Sequence, residues 1–351
     1  MGRATNLRDL LGKLKDKVSQ SKAALLSNPK ALSLHLALLR ATTHDPSTPP
    51  NQRYLTTLLS FGNGSRSTAA SAIDALMDRL QNTRDAAVAI KCLITVHHII
   101  KHGGFILQDQ LSVYPSTGGR NYLNLSNFRD NSTALAWELS SWVRWYALYL
   151  EQLLATSRIL GFFLCSSSRS SEKDKDEENV SSRLNCDLLK ETDSLVNLLD
   201  EMSKRADSSN ENCKKLLDEV MGLVGEDSLS AINEVSIRVN ELKERLSSLS
   251  FGDSVELVFV LKRLEDCKEK LSIFTWRKRV LMETFWGLIG EVKDKVGNSE
   301  VYRGEGRFLT MGSRRKASAS ARFDDRVPRC NDLVRFSSGI LLAYTDLVFQ
   351  P

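Results

Sequence analysis

Apolar residues recur at helical spacing along most of this 351-residue chain. In residues 6–26 they fall at positions i, i+3, i+4, i+7 and i+11, which places them in one narrow stripe on a helix. The stripe consists of Leu7, Leu10, Leu11, Leu14 and Val18. The same periodicity predicts helices over 30–43, 51–61, 67–81, 84–101 and 105–113, and from after Phe128 to about Leu164. The segment 84–101 is apolar on nearly all sides, which predicts a central place in the core.

A polar, charged segment without periodicity, residues 165–183, separates two helical parts and predicts an exposed linker. From 184 to 296 the pattern resumes as long amphipathic helices with heptad-like spacing and charged flanks, which predicts a helical bundle. Residues 297–351 carry scattered glycines and no sustained pattern, which predicts a flexible tail. The end of that tail, 339–344, is unexpectedly apolar, and no physical reason for this is evident.

The composition supports an all-α protein with a sizeable core. Hydrophobic residues make up 42% of the chain, and only 7 prolines and 19 glycines interrupt it. The six cysteines are scattered singly, so neither a disulfide framework nor a zinc site is indicated. No stretch approaches the roughly 20 apolar residues needed to span a bilayer, and a secretory signal is missing. A cytosolic or peripheral membrane protein is therefore expected.

The excess positive charge lies at the N-terminus. Residues 1–30 contain seven basic and two acidic residues, so they hold the whole net charge of +5, and the remainder is neutral. Lys15 lies on one flank of the leucine stripe, and Lys13 and Lys17 lie on the other. This arrangement is typical of a helix that lies on anionic lipid. The alternative is an ordinary surface helix whose leucines cover a core.

Residue patterns for chemistry are weak. His98 and His102 could share a helix face, but no metalloprotease glutamate accompanies them, and satisfied histidines are the simpler interpretation. Phosphate-binding loops, nucleophile elbows and paired aspartates are not found, so no catalytic residue, metal or cofactor is predicted. The N-terminal bases alternate with leucines rather than with stacking aromatics, which argues against nucleic acid.

The predicted helix that ends near Leu164 is rich in aromatic residues. They are Trp137, Trp142, Trp145, Tyr146 and Tyr149. Aromatics at helical spacing belong to the core far more often than to a cofactor cage, so all five are predicted to be buried.

Four ordered segments resemble a known family. They read LLRATTHDPSTPPNQRYL from residue 38, IKCLITVHHIIKHG at 90–103, YLNLSNFRDNS at 122–132 and WVRWYALYLEQLL at 142–154. Together they are similar to ANTH domains, and most of all to those of plant clathrin assembly proteins. The likeness covers roughly residues 1–295. It implies an α-solenoid of antiparallel helices, with 1–164 as its N-terminal part and 184–296 as its C-terminal part.

The resemblance also implies a function. Members of the family bind phosphatidylinositol 4,5-bisphosphate, recruit clathrin and in some cases capture R-SNAREs. This chain would then be an adaptor in endocytosis, on the cytoplasmic face of coated pits and vesicles at the plasma membrane, with the Golgi apparatus as a second location. The partners expected are a phosphoinositide membrane, clathrin heavy chain and an R-SNARE.

The family's headgroup site is only partly preserved. Its lysine before ATTH falls on Arg40 and its histidine on Arg53, while its two other lysines fall on Pro50 and Gln52. Arginine can hold phosphate through two parallel hydrogen bonds. The resemblance therefore implies a site of Arg40, Arg53 and His44, with backbone N–H groups at the start of the third helix as a further phosphate seat. Reduced affinity or selectivity for the headgroup is expected.

Coat binding has less support in the sequence. The tail shows no DPF, NPF or clathrin-box repeats, and the Asp-Leu-Leu triplets at 9–11 and 187–189 lie inside predicted helices. A helical scaffold that binds a protein through residues 184–296, with little lipid or clathrin binding, is therefore the alternative.

Overall fold

The computed structural model describes residues 2–26, 29–114, 121–164, 180–205, 213–275 and 278–298. Within these ranges the chain forms twelve α-helices and no strand, as the periodicity predicts. They are α1 (Gly2–Leu26), α2 (Pro29–Ala41), α3 (Gln52–Ser60), α4 (Arg66–Asn82), α5 (Ala86–His102), α6 (Phe105–Ser112), α7 (Ala134–Leu160), α8 (Asn185–Ser203), α9 (Lys214–Glu244), α10 (Phe251–Asp266), α11 (Lys268–Thr275) and α12 (Arg279–Asn298). Most of the predicted linker and tail, residues 165–179 and 299–351, lie outside the described part of the chain.

Short polar side chains fix the helix starts. Ser65, Asp85 and Thr133 each accept a hydrogen bond from a backbone N–H in the first turn of α4, α5 and α7. Gly161 ends α7 in the left-handed region, with φ at 81°, where a glycine has no steric penalty. The predicted helix to Leu164 therefore ends at Leu160.

The helices pack in sequence order as a solenoid. Helix α1 contacts α2, α2 contacts α3, and α5 contacts α7, which in turn contacts α8. Helix α8 packs on α9 and α10, and α9 also packs on α11 and α12. One continuous cluster of buried apolar residues runs from Leu34 to Val296. The two predicted helical parts therefore share a single core.

Helix α5 is buried along nearly its whole length, from Ala86 to Lys101. This confirms its predicted central place. Four of the five aromatic residues of α7 are buried, but the side chain of Trp137 is 54% exposed, so its prediction as a core residue is wrong. Trp137 lies in the first turn of α7, where the start of the helix leaves one side open to solvent.

A buried polar cluster joins the middle of the solenoid. His97 on α5 lies 2.8 Å from the Tyr146 hydroxyl on α7 through Nδ1, and 2.6 Å from Asp227 on α9 through Nε2. The Tyr149 hydroxyl also donates to Asp227, and Lys101 Nζ lies 3.4 Å from the same carboxylate. His97 and Asp227 are completely buried. His97 is thus a structural histidine whose two ring nitrogens are both hydrogen-bonded.

Candidate membrane-binding site

One face of α1 docks on the body of the protein. A Cβ atom built on Gly12 would lie 3.1 Å from the Cβ atom of His44, so the helix backbone approaches the loop after α2 closely. One turn later the Asp16 carboxylate accepts two hydrogen bonds from His44, at 3.1 Å from the backbone N and 2.6 Å from ring Nδ1. Gly12 and Asp16 therefore define the docked face of α1.

The leucine stripe lies on the opposite face. Leu14 and Val18 are each two residues from Asp16, so each lies about 200° from Asp16 around the helix axis. Leu10, Leu11, Leu14 and Val18 are 64%, 50%, 57% and 58% exposed, and Leu25 is 85% exposed at the position that continues the stripe. The Leu7 side chain lies outside the described part of the chain. The described stripe residues do not cover a core, so the structure excludes that alternative for them.

Basic residues flank the exposed stripe on both sides. Lys15 and Lys22 lie on one flank, Lys13 and Lys17 lie on the other, and all four side chains are exposed. The helix thus presents an apolar band between two cationic rows. This is the surface expected to bind a bilayer that carries anionic lipid, because lysine stems lie along the acyl boundary while the ammonium groups reach the headgroups.

Side chains of α4 and α5 hold the loop that α1 contacts. Arg79 on α4 donates to both the side chain and the carbonyl oxygen of Thr42. The ammonium group of Lys91 on α5 donates to Thr43 Oγ1 at 2.8 Å. Asp45 accepts hydrogen bonds from Ser47 and Thr48. The loop is therefore fixed on both sides of His44.

Lys91 is an unusual support for this loop because it is a charged residue whose side chain is completely buried in the core helix α5. Burial lowers its pKa to about 8, although the charges of Asp45, Asp16 and Asp85 oppose that shift. The pKa of Asp45 is lowered. Burial alone would raise this pKa, but hydrogen bonds from Ser47 and the charge of Lys91 stabilise the carboxylate and outweigh burial. A lysine among the apolar residues of the first half of α5 was the sequence signal for this support.

The two predicted headgroup arginines lie at the two ends of the same loop. Arg40, in the last turn of α2, is exposed, and its guanidinium carbon lies 5.7 Å from the centre of the Tyr54 ring. Arg53, in the first turn of α3, is also exposed. Between them, Pro50 is buried, so this position offers neither charge nor access to a headgroup.

The start of α3, which was predicted as a phosphate seat, is capped by Asn51 in the structure. The backbone N–H of Arg53 donates to the Asn51 side chain at 2.9 Å. The next two N–H groups, those of Tyr54 and Leu55, donate to the Asn51 carbonyl oxygen. Asparagine is a strong helix cap, and here it uses the donors that a phosphate would need.

His44, the third predicted headgroup residue, contacts α1 in the structure. Its backbone N and its Nδ1 atom both bind Asp16, and its side chain is only 16% exposed. The structure thus brings His44 together with α1, while Arg40 and Arg53 extend to solvent. Sequence reasoning missed Gly12 and Asp16, although they are the small and acidic residues on the face of α1 opposite the leucines.

The described histidines do not form an accessible catalytic or metal site. His97 and Asp227 resemble an acid–base pair, but both are inaccessible to a substrate. Near the end of α5, His98 Nε2 lies 3.5 Å from Glu219, and the His98 and His102 ring centres are 5.7 Å apart. Among the described residues, no three histidine, cysteine or acidic side chains form a group able to hold a metal ion. In the same part of the chain, no helix combines the length and apolar character that crossing a bilayer requires.

Comparisons with known proteins agree with the four sequence segments. The model of the ANTH domain family matches residues 33–277. Three proteins of Arabidopsis thaliana that are named as candidate clathrin assembly proteins align over most of their length. The first is 57% identical over 348 residues, which is 97% of this chain and 95% of that protein. The second is 35% identical, and the alignment covers 82% of this chain and 99% of that protein. The third is also 35% identical, and the alignment covers 83% of this chain and 87% of that protein.

Proposed function

Because the chain belongs to the ANTH domain family, we propose that it is a peripheral membrane adaptor that binds a phosphoinositide-bearing bilayer and takes part in clathrin coat assembly. The observation that carries the membrane part is the exposed leucine stripe of α1 between its two lysine rows. A soluble protein has no structural reason to hold four neighbouring apolar side chains in water. Insertion of the stripe into the headgroup region of a bilayer removes these side chains from water.

Charge adds to this apolar contact. A lysine near an anionic leaflet contributes on the order of 1 kcal/mol, and this attraction weakens as salt screens it. Lys13, Lys15, Lys17 and Lys22 are all exposed beside the stripe. We assign most of the electrostatic binding to α1 for this reason.

Phosphoinositide recognition is assigned to Arg40 and Arg53. Both side chains are exposed, at the two ends of the loop between α2 and α3. A guanidinium can bind two phosphate oxygens at once. Pro50 and Gln52 supply no charge between them. The proposed site therefore favours multiply charged inositides over phosphatidylserine only modestly.

Loss of the α1 charges tests the membrane part. Replacing Lys13, Lys15 and Lys17 together by alanine is expected to weaken sedimentation with liposomes containing phosphatidylserine and phosphatidylinositol 4,5-bisphosphate by roughly 100-fold at low salt, since each lysine contributes about 1 kcal/mol. The difference between variant and parent should narrow as salt rises. The matched control replaces three exposed lysines on other helices, Lys190, Lys262 and Lys270. If parent and variant bind equally, α1 does not face the membrane.

The clathrin part rests on the names of the relatives. The Asp-Leu-Leu triplet at 187–189 does not contribute, because Leu188 and Leu189 are buried in α8. We propose that the adaptor recruits clathrin through a different segment, and that an R-SNARE is a further partner at the plasma membrane or Golgi.

Clathrin recruitment can be measured on the same liposomes. Purified clathrin is expected to sediment with liposomes that carry the parent protein, and to remain in solution with the triple lysine variant, because that variant leaves the bilayer. Negative-stain microscopy should show lattices on the coated liposomes. Binding of the adaptor without any recovered clathrin would leave a lipid-binding scaffold and remove the coat from the proposal.

A further inference from the structure

Helix α1 contacts the loop after α2 through Gly12 and Asp16, and the inference drawn from this contact rests on the proposed function. We infer that the Asp16–His44 pair is a positioning clasp, which sets the rotation of α1 about its axis and so turns the leucine stripe outward. In this role His44 orients the membrane-binding helix rather than binding the headgroup.

The geometry of the pair supports a fixed orientation. Asp16 binds His44 through both carboxylate oxygens, one to the backbone N at 3.1 Å and one to Nδ1 at 2.6 Å. Two bonds to two different groups restrict rotation of the carboxylate far more than one bond does. The side chains are only 13% and 16% exposed, so water screens the pair less than a surface ion pair.

The partner of the clasp is itself rigid. Thr42 and Thr43, which precede His44, are held by Arg79 and Lys91 from the helices beneath. Asp45, which follows His44, accepts hydrogen bonds from Ser47 and Thr48. A bond from α1 to His44 is therefore a bond to the body of the solenoid.

Gly12 completes the docked face. A Cβ atom on this residue would lie 3.1 Å from the His44 Cβ, which is too close for a side chain to fit without a shift of His44. A glycine at this point lets α1 come near enough for Asp16 to reach the ring. Gly12 and Asp16 are one turn apart, so together they fix both the distance and the rotation of the helix.

The clasp also removes a negative charge from the membrane face. Asp16 is the one acidic residue between Leu10 and His44 in the sequence, and it lies among Lys13, Lys15 and Lys17. Because it points to His44, about 200° from Leu14 and Val18, the bilayer meets the lysines and not the carboxylate.

Substitutions at Asp16 separate positioning from charge. Asp16→Asn removes the charge but keeps the shape of the side chain: its oxygen can accept from the His44 backbone N–H, and its amide NH2 can donate to Nδ1 of a neutral imidazole. Asp16→Ala removes the charge and both hydrogen bonds. If charge alone mattered, both variants would bind anionic liposomes more tightly than the parent, since each is more positive. The clasp predicts instead that Asp16→Asn binds about as well as the parent, while Asp16→Ala binds about tenfold more weakly with every lysine and leucine still present.

His44→Ala and the double variant complete the test. His44→Ala removes the ring bond and keeps the backbone bond. A clasp therefore predicts that His44→Ala loses part of the binding that Asp16→Ala loses, and that the double variant loses no more than Asp16→Ala. Hydrogen exchange of residues 10–26 should accelerate in both single variants while α5 stays protected, which shows that the fold is intact. Gly12→Leu should behave in the same way without changing any charge.

Two results would overturn the inference, and they are distinguishable from failure of the proposed function. If the parent binds liposomes and Asp16→Ala binds equally or more tightly with unchanged exchange in α1, the clasp is wrong and the membrane proposal stands. If His44→Ala loses only the inositide-dependent part of binding while Asp16→Ala is unaffected, His44 is a headgroup ligand. If the parent itself does not bind any liposome, the proposed function fails and the inference falls with it.

Discussion

Replacing Leu10, Leu11, Leu14 and Val18 together by glutamine is expected to lower liposome binding by roughly a thousandfold. Full burial of such a side chain stabilises by about 1.5 to 3 kcal/mol, and partial insertion of four of them by about 4 kcal/mol in total. Glutamine keeps good helix propensity. All four side chains are at least half exposed, so the unfolding free energy should change little. Sedimentation with anionic liposomes measures the binding loss, and thermal unfolding checks the fold.

A matched variant separates the stripe from general hydrophobicity. Leu148, Val255, Phe259 and Ile273 are also exposed, at 49%, 42%, 61% and 49%, but they lie on other helices. Replacing these four by glutamine should leave liposome binding unchanged. Should the α1 variant sediment like the parent, the stripe would be a contact for a protein partner, as the scaffold alternative requires.

The leucine stripe also shows how far the sequence could predict this site. Spacing alone predicts that Leu10, Leu11 and Leu14 share a face, but a lipid-facing stripe and a core-facing stripe have the same spacing. The difference lies in what the other face of the helix binds. Gly12 and Asp16 dock on His44, which lies 28 residues beyond Asp16, and single-sequence periodicity does not contain that contact.

The helices were easier to predict than the site because each depends on local pattern and capping. Segments such as α4 and α5 lie within two residues of their predicted ends. The prediction that Trp137 is buried failed for a tertiary reason, since helical spacing does not reveal which first turn is left uncovered. The prediction of a phosphate seat at the start of α3 did not consider Asn51 as a cap, and this residue already accepts the Arg53 N–H.

Buried charge was the largest gap in the sequence reasoning. Lys91 and Asp227 both stand in amphipathic or apolar segments, and neither was identified as a structural residue. Each is completely buried, and each is satisfied by groups distant in sequence, Thr43 for Lys91 and His97 for Asp227. A charged residue in the middle of an apolar helix signals such a partner, but not which partner it is.

The strongest effect on stability is expected at Asp227. Asp227→Ala would leave three buried donors, on His97, Tyr149 and Lys101, without a shared acceptor. Removing one partner of a buried charged pair typically destabilises by about 3 to 5 kcal/mol, because the remaining charge is uncompensated. Urea unfolding followed by circular dichroism should show this loss. Since the cluster joins α5, α7 and α9, the middle of the solenoid should lose hydrogen-exchange protection first.

The neighbouring acid provides the control, and pH provides a second measurement. Glu226 also contacts Lys101, at 2.5 Å, but it is 69% exposed, so Glu226→Ala should cost at most about 1 kcal/mol. Burial raises the pKa of Asp227, but the charge and hydrogen bond of His97 and the charge of Lys101 outweigh burial and hold the pKa below that of an ordinary aspartate. The unfolded chain therefore takes up this proton first as pH falls. The stability difference between parent and Asp227→Ala should be complete above the ordinary pKa of an aspartate and shrink as pH falls through the lowered pKa of the folded state. Equal losses in the two alanine variants would mean that the buried carboxylate does not organise this cluster.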